Sequence, residues 1–183
     1  MRATDILMAE HRVIERVLGA LESACNRLEA GELVESAFFV DAVTFIREFA
    51  DGCHHRKEEG VLFPAMHAAG LPMESGPLAV MLHEHDQGRR YARGISDAAS
   101  RLGEKDDAAR DDLVRHARGY IRLLHEHIAK EDNVLFPMAA QLLTGQRGET
   151  VSDEVARVQE EEGVHDEFVR LAEQLVARAD KTN

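Results

Sequence analysis

Residues 54–66 read HHRKEEGVLFPAM, and residues 127–139 repeat this stretch as HIAKEDNVLFPMA. Aligned without a gap, each copy begins with a histidine, carries a glutamate four residues later and contains the same run Val-Leu-Phe-Pro. Two residues four apart in a helix differ by about 40° around its axis and about 6 Å along it, so they point the same way. The doubling predicts two similar helical hairpins of one bundle, each contributing half of a metal site.

A further histidine precedes each copy at nearly the same distance. His11 lies 43 positions before His54, and His85 lies 42 positions before His127. Chance produces single histidine pairs easily, but it rarely produces a doubled and evenly spaced set. The residues that we expect to bind metal are His11, His54, Glu58, His85, His127 and Glu131.

The composition is typical of one soluble globular domain. The chain has 183 residues, of which 31% are charged and 44% hydrophobic. No apolar run approaches the roughly 18 residues of a membrane span, and the N-terminus has no signal-peptide pattern. A net charge of -12 opposes binding to nucleic acid or to an anionic membrane. With only Cys25 and Cys53, no disulfide framework is expected, and the cytoplasm is the expected compartment.

Apolar residues at steps of three and four predict an all-α fold. We expect an up-down-up-down four-helix bundle over residues 1–143, followed over residues 144–183 by a loop and a fifth helix that packs on the same domain. The first helix is expected to begin at an N-cap, Thr4, and to end at Gly31. Pro64 is expected to bend or end the second helix.

Clusters of turn-forming residues predict where the helices are connected. They occur at residues 70–77, 103–107 and 144–148. The third helix is expected to start near Leu78, and Gly163 is a candidate interruption within the C-terminal helix. The oligomeric state is not predicted by any of these features.

The chemistry follows from polar residues on apolar helix faces. A buried carboxylate is costly unless it is paired or bound to a cation, so Glu58 and Glu131 require partners. Imidazole with carboxylate ligation suits iron, manganese or zinc. Four histidines and two glutamates are too many ligands for one tetrahedral zinc, so we expect two metal ions bridged by the two glutamates.

The sequence resembles the hemerythrin-like, or HHE cation-binding, family over roughly the first 140 residues. The matching motifs are Glu10-His11-Arg12, Glu84-His85-Asp86 and the two His-x-x-x-Glu segments that end in Leu-Phe-Pro. The resemblance implies a four-helix bundle with a bridged non-haem di-iron centre. It also implies a small ligand, namely dioxygen, peroxide or nitric oxide, and it assigns the six residues given above as the ligands.

The sequence departs from the oxygen-carrying members at two positions. Those members have a second histidine four residues from the first on the third helix, where this chain has Met81 and Arg89. They also place an aspartate five residues after the last histidine. Asp132 occupies that place, but Glu131 copies the spacing of Glu58 and is the preferred ligand. The missing histidine counts against reversible oxygen carriage and leaves a position that is open or differently filled.

Three further polar residues are candidates of a lower order. His55 is expected at the surface or in a hydrogen bond to a ligand, with ligation in the vacant position as the alternative; its counterpart in the repeat is Ile128. Glu162 and His165 share the apolar face of the C-terminal helix. They are candidates for ligands or for hydrogen-bond partners of ligands, and a buried Glu-His pair is an equal alternative.

Several functions remain open at this point. The first is a di-iron protein that binds or processes dioxygen or peroxide, with enzymatic activity left undecided. The second is a sensor of iron, oxygen or redox state, or an iron-homeostasis module, without catalysis. The third is a purely structural bundle with hydrogen-bonded His-Glu pairs. A ferritin-like di-metal bundle is a weaker alternative, because its Glu-x-x-His spacing occurs only once on a core face, at Glu162 and His165.

Overall fold

The fold is known from a computed structural model, which describes residues 1–102, 107–163 and 165–180, without the side chains at positions 161 and 162. Every regular element in these ranges is helical, so the predicted all-α class is confirmed. Most of the connection predicted at residues 103–107 lies outside the described residues. The elements in chain order are α1 (Ala3–Glu29), α2 (Ser36–Phe45), π1 (Ile46–His55), π2 (Glu58–Leu62), α3 (Phe63–Ala68), α4 (Gly76–Arg101), α5 (Asp107–Lys130), π3 (Glu131–Leu135), α6 (Phe136–Leu142), α7 (Gly145–Glu162) and α8 (His165–Ala179).

The long helices pack side by side in a bundle. Helix α1 runs beside α5, α2 beside α4, and α4 beside α5, while α8 covers α1 and α2. Within the described ranges, none of the helices has both the length and the apolar character that crossing a bilayer requires.

Two separate hydrophobic clusters fill the bundle. The larger one includes Ile14 and Ile95, and the smaller one includes Leu7 and Met81. On α1, His11 lies between the residues of the two clusters, and on α4 His85 does the same. The candidate ligands therefore form a polar layer between two apolar ones, which keeps bulk water away from both ends of that layer.

Each copy of the repeat contains a wide helical turn, where a regular helix was expected. Pro64 and Pro137 stand at the start of α3 and α6. A proline has no N–H to donate, and its ring clashes with the carbonyl four residues earlier in an α-helix. The chain relieves this by a π turn, in which the N–H of Phe63 bonds to the carbonyl of Glu58, five residues back. Pro64 thus widens the helix locally and does not end it.

Other helix boundaries differ from the sequence-based expectation. Helix α1 starts at Ala3 after a cap at Arg2, two residues earlier than the predicted cap Thr4, because the Asp5 carboxylate accepts a hydrogen bond from the Arg2 backbone N–H at 3.1 Å. The end of α1 is as expected, with Gly31 at φ 81°.

The C-terminal region consists of two described helices where one was expected. Helix α7 already begins at Gly145, so most of the loop predicted at residues 144–148 is helical. Gly163, with φ 61°, ends α7, and α8 follows. A left-handed φ is accessible to glycine without steric cost, which explains the break at this residue.

Candidate metal centre

The first of two buried side-chain clusters joins both halves of the repeat. His11, His54, Glu58 and Glu131 each offer a ligand atom, and these four atoms lie within 4.8 Å of one another. All four residues are at most 2% exposed. Four converging ligand atoms on buried side chains are what a metal position needs.

The second cluster shares one residue with the first. His55, Glu58, His85 and His127 also place their ligand atoms within 4.8 Å of one another. Glu58 therefore belongs to both clusters, as a bridging carboxylate would.

The two glutamates are placed symmetrically between the clusters. Oε1 of Glu58 lies 3.4 Å from Nε2 of His54, and its Oε2 lies 3.4 Å from Nε2 of His85. Oε1 of Glu131 lies 3.3 Å from Nε2 of His127, and its Oε2 lies 3.2 Å from Nε2 of His11. Each carboxylate thus presents one oxygen to each side of the centre.

Five buried polar atoms in the centre have no hydrogen-bond partner among the described residues. They are both carboxylate oxygens of Glu58, both of Glu131 and Nε2 of His55. Leaving a buried carboxylate unsatisfied is costly, and native proteins almost always avoid it. These atoms fit a pair of cations, since oxygen and imidazole nitrogen are ligands that iron, manganese and zinc accept.

The imidazole nitrogens are also spaced as neighbouring ligands of one metal would be. Nε2 of His11 lies 3.0 Å from Nε2 of His54, and Nε2 of His85 lies 3.1 Å from Nε2 of His127. Two nitrogens bound at right angles, each about 2.1 Å from one ion, would be about 3 Å apart. The geometry favours one ion per histidine pair.

A carboxylate orients each of these four imidazoles through its Nδ1. His11 bonds to Asp132 at 2.8 Å, and His85 bonds to Glu59 at 2.7 Å. Glu10 and Glu84 orient the other two histidines, His54 and His127, both at 2.9 Å. Such a contact fixes the ring and makes Nε2 the free nitrogen, and it raises the basicity of a metal ligand.

A cation neutralises each of the orienting carboxylates. Lys57 pairs with Glu10, Lys130 with Glu84, Arg12 with Asp132, and Arg89 with Glu59 at 2.7 Å. The outer layer is therefore charge-balanced. The negative charge that remains uncompensated is that of the two central glutamates.

The pKa values of the histidines reflect this central negative charge. Burial alone would lower the pKa of His11, but its hydrogen bond to Asp132 and the nearby carboxylate of Glu131 outweigh burial and raise the pKa to about 9. The same competition, with the charge of Glu131 as the main opposing cause, raises the pKa of His127 to about 10. Without metal, protons on these rings compensate the negative charge of the glutamates that metal ions would otherwise compensate.

His55 behaves differently from the other four histidines. Burial, followed by the charge of His85, lowers the pKa of His55 well below its usual value. Its ring stacks on that of His85 with centroids 3.8 Å apart, and its Nδ1 lies 3.3 Å from Asp51. At 4% exposure it is not the surface residue that the sequence suggested. It belongs to the second cluster, and its ligation of a metal stays a prediction.

Arg89, where oxygen carriers have a histidine, does not reach inward. Its guanidinium bonds to Asp51 at 2.8 Å and to Glu59 at 2.7 Å. These are the carboxylates that contact His55 and His85. Arg89 therefore holds the two carboxylates that contact His55 and His85. The third imidazole of that cluster is His55, which comes from π1 and not from α4.

Neither C-terminal candidate, His165 or Glu162, is placed in the two clusters. Nε2 of His165 is 3.7 Å from Oε1 of Glu10, so it contacts the carboxylate that orients His54 and is not in either cluster. The side chain of Glu162 lies outside the described residues.

Sequence reasoning did not identify the orienting groups: it considered Asp132 only as a possible ligand and gave no role to Glu10, Glu59 or Glu84. Glu10 and Glu84 were visible as the residues that precede His11 and His85, and the lysines match in the repeat. The histidines that Glu10 and Glu84 orient lie on other helices, so sequence spacing alone did not reveal these contacts.

Comparison with known proteins identifies the family of this chain. Residues 2–139 match the family pattern "Hemerythrin HHE cation binding domain". An uncharacterized protein of Mycobacterium tuberculosis is 29% identical over 85% of this chain and 62% of its own length. The iron-sulfur cluster repair protein YtfE of Yersinia pseudotuberculosis is 32% identical over 73% of this chain and 55% of its own length. The YtfE protein of Musicola paradisiaca is 35% identical over 47% of this chain and 40% of its own length.

These relatives are longer than the chain described here, which spans at most 62% of those named. No solved structure matches it significantly. The family pattern covers well over half of the chain and includes all the histidines and glutamates of the two clusters. The protein belongs to the hemerythrin HHE cation-binding domain family, which confirms the resemblance seen in its repeat.

Proposed function

We propose that the protein holds two iron ions between its hairpins and uses them to bind or process dioxygen or peroxide. His11 and His54 would hold one ion, and His55, His85 and His127 the other. Glu58 and Glu131 would bridge the two. Manganese or zinc would fit the same donors, so the identity of the metal is part of the proposal.

One observation carries this proposal. The four oxygens of Glu58 and Glu131 are buried without a hydrogen bond, and each lies 3.2–3.4 Å from Nε2 of a different histidine. A structural His-Glu pair would be expected to use its hydrogen bonds fully. Unsatisfied oxygens aimed at a shared space support cation binding over a structural role.

The chain supplies the surroundings of the reaction. Bound iron would supply electron transfer and coordination positions for a small molecule. The apolar layers above and below the centre exclude water, and the orienting carboxylates bind each ring at Nδ1 and leave Nε2 to bind metal. Buried polar groups in a dry cavity act more strongly on a bound molecule than they would in water.

Metal analysis followed by an activity assay tests the proposal. Protein produced without an affinity tag should contain about two iron atoms per chain, and His54→Ala should lose most of this metal. Iron-loaded protein should consume added peroxide or dioxygen faster than free iron does. His83→Ala is the matched control, because His83 is exposed and outside both clusters. Full stability and no metal uptake in the wild type would support the purely structural reading.

A second candidate function is iron homeostasis, including cluster repair, without a catalytic role of the centre. The similarity to the YtfE proteins, which are described as iron-sulfur cluster repair proteins, favours it. Under this function, iron should leave the protein when an iron-free iron-sulfur protein is added with sulfide and a thiol. Retention of iron under these conditions, with peroxide consumed, would favour the first function.

A further inference from the structure

A cysteine and a lysine lie side by side in the interior, next to the candidate centre but outside it. Nζ of Lys57 donates a hydrogen bond to Sγ of Cys53 at 3.2 Å, and the two residues are 0% and 1% exposed. They are four positions apart in one helical stretch, a spacing that brings side chains together on one face. Neither residue belongs to the two clusters of candidate ligands, so metal binding does not account for this contact.

The amine of Lys57 is held between a carboxylate and a sulfur atom. A buried ammonium is costly unless it is paired, and its partner here is Glu10, which is 2% exposed and orients His54. An oxidised cysteine sulfur condenses with a nearby nitrogen nucleophile to form a sulfur–nitrogen bond. The three side chains supply what this reaction needs, namely an oxidisable sulfur, an amine and an acceptor for the proton of the amine.

The second copy of the repeat lacks this arrangement. The position that matches Cys53 is Glu126, and the side chain of Lys130, which matches Lys57, is 41% exposed. The other cysteine of the chain, Cys25, is buried on α1 within the larger hydrophobic cluster. The contact between a thiol and an amine is therefore a feature of the first copy.

A groove gives a small oxidant a way toward this pair. The groove lies between α1 and α7, has a volume of about 620 Å³ and includes Glu10 in its wall. Oε1 of Glu10 in turn contacts the amine of Lys57. Hydrogen peroxide is hardly larger than water, and local opening of a folded protein admits molecules of that size.

We propose that Cys53 and Lys57 form a covalent sulfur–nitrogen link when the protein meets hydrogen peroxide. Peroxide transfers one oxygen to Sγ of Cys53, which gives a sulfenic acid and one water molecule. The ammonium of Lys57 gives a proton to the Glu10 carboxylate, and Nζ attacks Sγ. The hydroxyl group of the sulfenic acid leaves with a second amine proton as water, and a sulfenamide remains. The cysteine and lysine together lose two electrons, which the peroxide gains.

The link would change one half of the centre only. It removes the ammonium that balances Glu10 and leaves Glu10 as a neutral acid, which orients His54 less firmly than a carboxylate does. The second copy is unaffected, because Glu126 stands in place of the cysteine. Peroxide would thus weaken metal binding in the first cluster and leave the second unchanged, a consequence that rests on the proposed function.

Mass spectrometry of the purified protein after peroxide treatment tests the link. Trypsin cleaves after arginine and lysine but not after a linked Lys57, so we expect residues 48–56 joined to residues 57–89. The joined peptide should be lighter by two hydrogen atoms than its two parts, and a thiol reductant should separate them. Cys53 that stays a thiol, or that only gains oxygen atoms, overturns the proposal.

Matched variants assign the link to this pair. Cys53→Ser should abolish the joined peptide, whereas Cys25→Ser should leave its yield unchanged, and equal yields in both would overturn the proposal. Lys57→Arg keeps a cation for Glu10 but removes the amine, so Cys53 should be oxidised further to a sulfinic acid that a thiol reductant does not restore. Reversible oxidation of Cys53 in Lys57→Arg would contradict the role of the amine. Should Lys57→Arg not fold, the two cysteine variants decide.

Zinc content separates a failure of the link from a failure of the proposed function. Protein loaded with about two zinc ions should retain about one after the link has formed, and Cys53→Ser should retain both after the same treatment. If the link forms but both ions stay, the effect on the first cluster is overturned and the link stands. If the protein takes up no zinc, the proposed function fails, while the peptide masses still decide whether the link forms.

Discussion

The two copies of the repeated stretch have the same motif but different surroundings. In the first copy, Lys57 is fully buried and pairs with Glu10, which is 2% exposed. In the second copy, the side chain of Lys130 is 41% exposed and pairs with Glu84. Helix α8 accounts for part of the difference, because it covers α1 and α2 and brings His165 to Glu10. Equal sequence spacing thus gives equal contacts, but it does not give equal burial.

The copies also differ in the number of imidazoles that they contribute. The first copy begins within the long π segment π1 and places both His54 and His55 in the centre, whereas the second begins within the regular helix α5 and has Ile128 beside His127. Within π1, a Cβ on Gly52 would lie 3.0 Å from the carbonyl oxygen of Arg47, so a glycine suits this wide turn. π segments are frequent at functional sites. The two clusters are therefore inequivalent, with two and three histidines.

The largest effect should come from removing metal from both positions at once. An ion present at 100 times its dissociation constant stabilises the folded state by about 2.7 kcal/mol. For two positions, chelation should lower Tm by about 10–20 °C in a protein of this size. Scanning calorimetry with and without chelator measures this. An unchanged Tm in protein shown to have lost its metal would contradict metal-coupled stability.

The next largest effect should separate the two lysines. Lys57→Met leaves Glu10 buried without its cation, so it should lower the free energy of unfolding by about 3–5 kcal/mol. Lys130→Met affects an exposed pair and should cost at most about 1 kcal/mol. Urea unfolding of the metal-free variants gives both values. Similar decreases in the free energy of unfolding of the two variants would mean that the difference in burial does not affect stability.

Making the first copy resemble the second should affect one metal position more than the other. His55→Ile introduces the residue found at position 128 and removes an imidazole from the second cluster only. We expect at least tenfold weaker binding at one position, and little change at the other. Competition with a chromophoric chelator resolves the two affinities, and His83→Ala again serves as control. An equal loss at both positions would refute the assignment of His55 to one cluster.

The smallest signal should be the protons released on metal binding. The pKa values of His11 and His127 in the metal-free centre are raised to about 9 and about 10, so both rings are protonated at pH 7. Metal ligands must be deprotonated, so each ring should release one proton at pH 7 and progressively less as pH approaches 10. Calorimetry in buffers of different ionisation enthalpy counts these protons.

The same shifts predict how the stability of the metal-free protein depends on pH. A raised folded-state pKa stabilises fully below the unfolded value of about 6.5, and this contribution is lost as pH rises through the folded value. Metal-free protein should therefore lose stability between pH 6.5 and about 10. The metal-loaded protein should not show this dependence, because its imidazoles carry no exchangeable proton at Nε2.

Much of the fold and of the candidate site could be predicted because both depend on local periodicity. Apolar residues at steps of three and four predicted the helices. The four-residue step from His54 to Glu58 predicted that these two side chains point the same way. The same step from His127 to Glu131, repeated after a similar interval, predicted that two halves meet. The sequence by itself thus determined the all-α class, the doubling and the six residues that lie together.

Only the tertiary structure decided what surrounds those residues. Pro64 forces the helix to widen at π2, whereas π1 contains no proline and ends with His54 and His55, both buried. Arg89, His165 and the orienting carboxylates find their partners on other helices, 26 or more positions away. Such contacts depend on how helices cross and rotate, which no single helical period encodes. For that reason, the sequence located the candidate ligands, while the burial of Lys57 and the third imidazole of the second cluster emerged only from packing.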